Sequence, residues 1–115
     1  MSSLALGANW EIVPEEKGKT WINPKTFTIT APCGEDITVP AGYEHDGASV
    51  APNFSDQLPF IVHDYLYEFR RWDSGKKVRR KDADLTMRAL MEDSPDKTCA
   101  KFARVYYWGV RWAAW

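Results

Sequence analysis

A chain of 115 residues with 44% hydrophobic and 27% charged residues has the composition of one soluble globular domain, spanning residues 1–115. That balance excludes a disordered chain, and a net charge of −1 with a pI of about 6.1 gives no bulk attraction to nucleic acid. No apolar run reaches the roughly 18 residues of a transmembrane span, and MSSLALGANW lacks the basic start and long apolar stretch of a signal peptide.

Two cysteines, Cys33 and Cys99, lie far apart without a CxxC spacing. They argue against a disulfide scaffold and against a cysteine metal site, and reduced thiols fit a cytoplasmic protein, with one bridge between them left open. A domain of this size needs no such staples.

Taken in order, residues 1–8 are small and polar and are expected to fray. Asn9 to Val13 alternates around Trp10 and Ile12 and reads as an edge strand. Pro14 to Lys19 reads as a turn or loop. Thr26 to Thr30, TFTIT, sets Phe27 and Ile29 on one face, PCGED at 32–36 is a turn signal, and Ile37 to Val39 alternates again. The two runs make a hairpin, and the β part ends near Tyr43. Gly42 to Phe54 has no period, and a loop of that length in a small domain is often functional.

Leu58 to Arg71 places Phe60, Ile61, Leu66 and Phe69, with Tyr65, at helical spacing. Gly75 is the expected stop or turn residue after it. Asp82 to Glu92 reads as a second helix with Ala83, Met87, Leu90 and Met91 on its apolar face. Ser94 and Pro95 predict the N-cap and first position of a third helix that runs to about Trp112, with Phe102, Val105, Tyr106, Gly109 and Val110 on one face. Strands first and helices after predict an α+β fold: a small N-terminal antiparallel sheet or hairpin, then three helices, the first two an antiparallel pair.

Inside the first helix sit His63 and Asp64, with Tyr67 four residues after the histidine and on its face. A titratable pair in an apolar helix is costly to bury without partners. Asp84 lies on the row of core methionines in the second helix and is the expected partner of His63. A histidine held in one tautomer by a carboxylate is a general-base arrangement. Asp64 is then free to bind a hard cation, with oxygens from the Asp46–Ser49 loop, where Gly47 permits a tight turn. The same residues also make a hydrogen-bonded network that does nothing but tie two helices together, and spacing alone favours that reading.

Asp46 and Ser49 admit two readings as well: an Asx or ST turn, or a Ser/His/Asp set beside His63 that lacks the Gly-x-Ser-x-Gly elbow. His45 is expected to be exposed and not a ligand. Seven cations between Arg70 and Lys81 suggest phosphate contacts with Trp72 stacking on a base, but Asp73 and Asp82 flank the run and a solvated loop is the preferred reading, so nucleic acid is not the expected partner. Trp108, Trp112 and Trp115, with Tyr106 and Tyr107, are read mostly as core, and Trp112 with Trp115 as a candidate homo-oligomer contact.

ITVPAGYEHDGASVAP, PFIVHDYLYEF, RRKDADLTMRALME and FARVYYWGVRW, in that order, resemble the phage and prophage family called domain of unknown function 1353. Asp46, Ala48, Ser49, His63, Asp64, Leu66, Tyr67, Ala83 and Asp84 stand where the family pattern has them. Tyr43 replaces the usual Phe, and Val50-Ala51-Pro52 has one extra residue before the proline.

The His-Asp-x-x-Tyr helix followed by an aspartate on a second helix is also similar to the catalytic helix pair of the phospholipase A2 superfamily, although the glycine-rich calcium loop and helix-joining disulfides of that superfamily are absent. Carried over, the similarity implies His63 as the base, Asp84 as its orienter, Asp64 as a calcium ligand and Tyr67 in support. The resemblance implies a phage or prophage accessory protein, in the cytoplasm of the infected host or in the virion. Two functions follow. One is a hydrolase-like centre of His63, Asp84, Ser49 and Tyr67 acting on a small-molecule or lipid ester, with Ca2+ or another divalent cation at Asp64 and Asp46. The other is a non-enzymatic virion component or inhibitor of a host factor, in which the network is structural.

Overall fold

The computed structural model describes residues 15–17, 20–45 and 57–112. Asn9 to Val13, expected as an edge strand, lies outside the described residues, as do Asp46 and Ser49.

The first half is strand and turn. β1 (Glu15–Lys17) pairs antiparallel with β2 (Thr20–Ile22), Glu15 opposite Ile22 and Lys17 opposite Thr20. Part of the stretch expected as a loop is therefore a strand, completed by the β-favouring Thr20, Trp21 and Ile22. β3 (Phe27–Thr30) and β4 (Asp36–Val39) form the expected hairpin, with Phe27 opposite Val39 and Ile29 opposite Ile37. Those four side chains face the core. On the other face the hydroxyls of Thr28 and Thr38 lie 2.8 Å apart. The turn between the strands uses Gly34 at φ 92, a left-handed conformation that a side chain would strain.

β5 (Glu44–His45) returns to β2, placing Trp21 opposite His45. The sheet order is β1-β2-β5, beside the separate β3-β4 pair. Asn23 ties the two together. Its side-chain amide donates to the Pro40 carbonyl at 2.9 Å, its backbone N–H donates to the Tyr43 carbonyl at 2.9 Å, and its carbonyl accepts from the Gly42 N–H at 2.7 Å.

α1 (Leu58–Phe69) buries Leu58, Phe60, Ile61, Val62 and Leu66 against the hairpin and the second helix, and leaves Phe69 half exposed. It stops at Arg70, not at Gly75. Arg70 takes φ 56 and ψ 27, and its N–H donates to the Leu66 carbonyl at 2.9 Å. Gly75, at φ 91, instead turns the connection, where its N–H donates to the Trp72 carbonyl. Asp73 fastens that connection to the hairpin, accepting from the Thr38 N–H at 3.0 Å and the Thr38 hydroxyl at 2.6 Å.

α2 (Arg80–Asp93) buries Ala83, Asp84, Thr86, Met87, Leu90 and Met91. Tyr67, near the end of α1, reaches Asp84, while Phe60, near its start, packs with Met87 and Met91, so the two helices run antiparallel. The expected third helix is two. α3 (Lys97–Lys101) is capped by Asp96, whose Oδ1 accepts from Thr98 N at 2.9 Å and Cys99 N at 3.3 Å. Ser94 ends α2 instead, and its hydroxyl accepts from the Asp96 N–H at 3.0 Å. The chain tightens at Phe102, whose N–H is shared by the Thr98 and Cys99 carbonyls, both at 3.2 Å, and α4 (Ala103–Trp112) follows.

The buried face of α3 and α4 is Cys99, Ala103 and Tyr107, with Tyr106 and Val110 partly covered. Phe102, Val105 and Gly109, expected on the inner face, are exposed, and so are Trp108 and Trp112 of the aromatic group read mostly as core. The order of small antiparallel strands followed by helices makes the fold α+β. No described helix is long and apolar enough to cross a membrane.

Candidate active site

Three helices converge on one carboxylate. Asp84, near the start of α2, is fully buried. His63 Nε2 lies 2.8 Å from its Oδ1, and the Tyr67 hydroxyl donates to the same oxygen at 2.5 Å. Tyr67 sits one turn after His63, with ring centroids 4.2 Å apart, so both donors approach from one face of α1. From α4, Arg111 Nη1 donates to Oδ2 at 3.3 Å. Arg80 in turn donates to the Arg111 carbonyl at 3.3 Å, which fixes the end of α4 over the start of α2.

Burial alone would push the Asp84 carboxyl up. The hydrogen bonds from His63 and Tyr67, the charge of His63 and the hydrogen bond from Arg111 outweigh it, and the carboxyl is held below its usual range. The Tyr67 phenol moves the other way, raised by burial and by its hydrogen bond to Asp84. At neutral pH Asp84 is thus an acceptor and Tyr67 a donor. A carboxylate can only accept, so the proton of neutral His63 sits on Nε2 and its Nδ1 carries a lone pair. Nδ1 has no hydrogen-bond partner among the described residues. His63 is 7% exposed.

Asp64 points elsewhere. Its Oδ2 lies 3.2 Å from Nδ1 of His45, on β5. His45 is therefore not the exposed residue expected: it is 5% exposed, set opposite Trp21 in the sheet and stacked with Tyr43. Asp64 lines a cleft of about 400 Å³ with Tyr43, Glu44, His45, Tyr67 and Glu68. Across it Tyr43 donates to Glu68 at 3.0 Å, and burial together with that hydrogen bond raises the Tyr43 phenol. Tyr67 also lines the cleft and its hydroxyl reaches Asp84, whereas His63 and Asp84 do not line it.

The structure thus brings His63, Tyr67 and Asp84 together and sets Asp64 beside them with a different partner. Asp46 and Ser49 lie outside the described residues. Calcium needs six to eight oxygens. One Asp64 oxygen already faces a ring nitrogen, and among the described residues no group of three His, Cys, Asp or Glu is gathered to hold a metal. The described donors do not make a calcium cage.

Sequence reasoning did not assign His45 or Arg111 to the site. Arg111 had a signal, as a lone cation next to the apolar positions Tyr107 and Val110. His45 had none, because a strand of two residues shows no period. Trp72, suggested as a base-stacking residue, is buried in the main core and cannot stack on a ligand.

Residues 21–110 match the family model described as "Protein of unknown function (DUF1353)", which spans well over half of the chain. No curated protein matches the chain, and no solved structure does.

Proposed function

We propose that this chain, which belongs to the DUF1353 family of proteins of unknown function, is a hydrolase of ester bonds with His63 as its general base. The observation that carries the reading is the histidine's two-sided setting: Nε2 is held 2.8 Å from an ionised, buried Asp84, while Nδ1 has no partner among the described residues. In the proposed step Nδ1 takes a proton from water as the water oxygen bonds to the ester carbonyl carbon. The carbon–alkoxide bond then breaks and the alcohol leaves with that proton, giving acid and alcohol. Asp84 orients the ring and offsets the imidazolium charge, and Tyr67 and Arg111 are positioning residues that keep Asp84 ionised. Ser49 is an alternative nucleophile within the same proposal.

The sequence pattern of His63, Asp64 and Tyr67 followed by Asp84 resembles that of the phospholipase A2 superfamily helix pair, which makes lipid esters the first substrates to try. The phage or prophage setting rests on sequence resemblance alone, and with it a place in the infected cell or the virion. Calcium enters as one arm of the test. If Asp46 and loop oxygens complete the shell of Asp64, titration gives a saturable heat that Asp64→Asn abolishes. The main experiment is a hydrolysis screen of short-chain esters and phospholipids with wild type and His63→Ala. Turnover by wild type that falls at least about a hundredfold in the variant is expected. Equal turnover by both would remove His63 from the chemistry.

One observation favours a second, non-enzymatic reading. Arg111 already neutralises Asp84, so the four side chains form a complete clamp between three helices without any substrate. Under that reading the protein is a virion component or an inhibitor of a host factor. His63→Ala then lowers the melting temperature by roughly 5–10 °C, as loss of a buried charge-assisted hydrogen bond would, and no ester is cleaved by either form.

A further inference from the structure

The buried face of α3 and α4 is accounted for, but the opposite face is not. Phe102, Val105, Gly109 and Trp112 recur at spacings of three, four and three, and Trp108 lies beside them. All are exposed, with Val105 at 63%, Trp108 at 59% and Trp112 at 86%. An outward stripe of aromatic and β-branched side chains is unfavourable in water unless something covers it. Between Lys97 and Trp112 the chain has four cations, Lys97, Lys101, Arg104 and Arg111, and no carboxylate.

Lys97, Lys101 and Arg104 are exposed, Arg111 turns inward to Asp84, and the basic character does not end with the helix. The Arg80 side chain meets Arg111 at the end of α4, and Arg80 also lines a cleft of about 390 Å³ with Arg70, Lys77, Val78 and Arg79. Arg80 thus links the end of α4 to a basic concavity. Arg79 is partly engaged by Asp82 at 3.0 Å, and Lys77 is exposed.

We propose that this face docks on an anionic phospholipid surface. The two indoles and Val105 would enter the headgroup boundary, where Trp is favoured, and the exposed cations of the helices and those of the cleft would meet lipid phosphates. Charge argues against a second copy as the occupant. Two copies packing these faces together would bring cations to cations, with no carboxylate between Lys97 and Trp112 to pair them. The inference does not depend on His63, which lies on another helix and faces Asp84.

Co-sedimentation of the full chain with vesicles tests it. Equal parts phosphatidylglycerol and phosphatidylcholine are compared with phosphatidylcholine alone, at low and high salt. The expected result is binding to the anionic vesicles that weakens with salt, a blue shift of Trp emission, and little binding to neutral vesicles. Trp108→Ser with Trp112→Ser, both at exposed positions, should weaken binding roughly tenfold or more, and Lys77→Glu with Arg104→Glu should weaken binding and lessen its salt dependence. His63→Ala should bind as wild type does. Absence of binding to anionic vesicles at low salt would overturn the proposal. So would a wild-type dimer in sedimentation velocity that the Trp variants dissociate, since the occupant would then be a second copy.

Discussion

At the scale of single residues, the Asp84 carboxylate decides most. It accepts from two α1 side chains and one α4 side chain, and it is buried. Its folded-state carboxyl titrates below the value of about 3.9 expected in the unfolded chain. The stability it contributes is therefore complete only above about pH 5, about one unit over the unfolded value, and is lost as pH falls through the lower folded value. Asp84→Asn should flatten the dependence of unfolding free energy on pH below about 5, and cost about 3 kcal/mol at neutral pH by leaving Arg111 and His63 without their anion. Urea unfolding at a series of pH values measures both, and an unchanged acid slope in the variant would show that other carboxylates carry it. That Asp84 meets His63 was legible in the sequence, because an aspartate three residues before Met87 and seven before Met91 must share their buried row. Arg111 was harder to read. It comes from the far end of the chain, and nothing in local spacing says which buried anion a distant cation will find.

At the scale of elements, the helices with a clean 3.6-residue pattern were legible and their ends were not. The residues from Leu58 and from Asp82 onward form helices as expected, since their buried rows are unbroken. The stop of α1 was misplaced because Arg70 adopts the left-handed conformation usually left to glycine, and Gly75 serves the turn that follows. The start of α3 was misplaced because Ser94, Pro95 and Asp96 offer two plausible caps in three positions. Asp96 is the one whose side chain receives the free N–H groups of Thr98 and Cys99. Asp96→Ala should therefore lower stability by about 1 kcal/mol, read as a lower melting temperature. No change would mean that the Ser94 hydroxyl takes over the cap. The inner face of α4 was misassigned for a different reason. Apolar residues surround much of that helix, so hydrophobicity alone does not say which side is inside. The answer is set by where Phe60, Met87 and Met91 wait to be covered.

At the scale of the whole molecule, α1 offers two histidine–carboxylate pairs from consecutive positions. His63 looks inward to α2 and α4, and Asp64 looks toward β5 and the cleft. The pairing of β5 with β2 sets His45 against Asp64, and α4 sets Arg111 against Asp84. Only the second helix of that scheme could be foreseen, because long-range pairing of a two-residue strand leaves no mark in the sequence. The functional proposal turns on one atom, Nδ1 of His63, and nitrogen-15 NMR of the histidine side chains observes it. With the His63 ring assigned through His63→Gln, neutral His63 should carry its proton on Nε2, with Nδ1 unprotonated. A ring protonated on Nδ1 in the neutral state would contradict the proposed role, because the nitrogen meant to take the proton would already hold one.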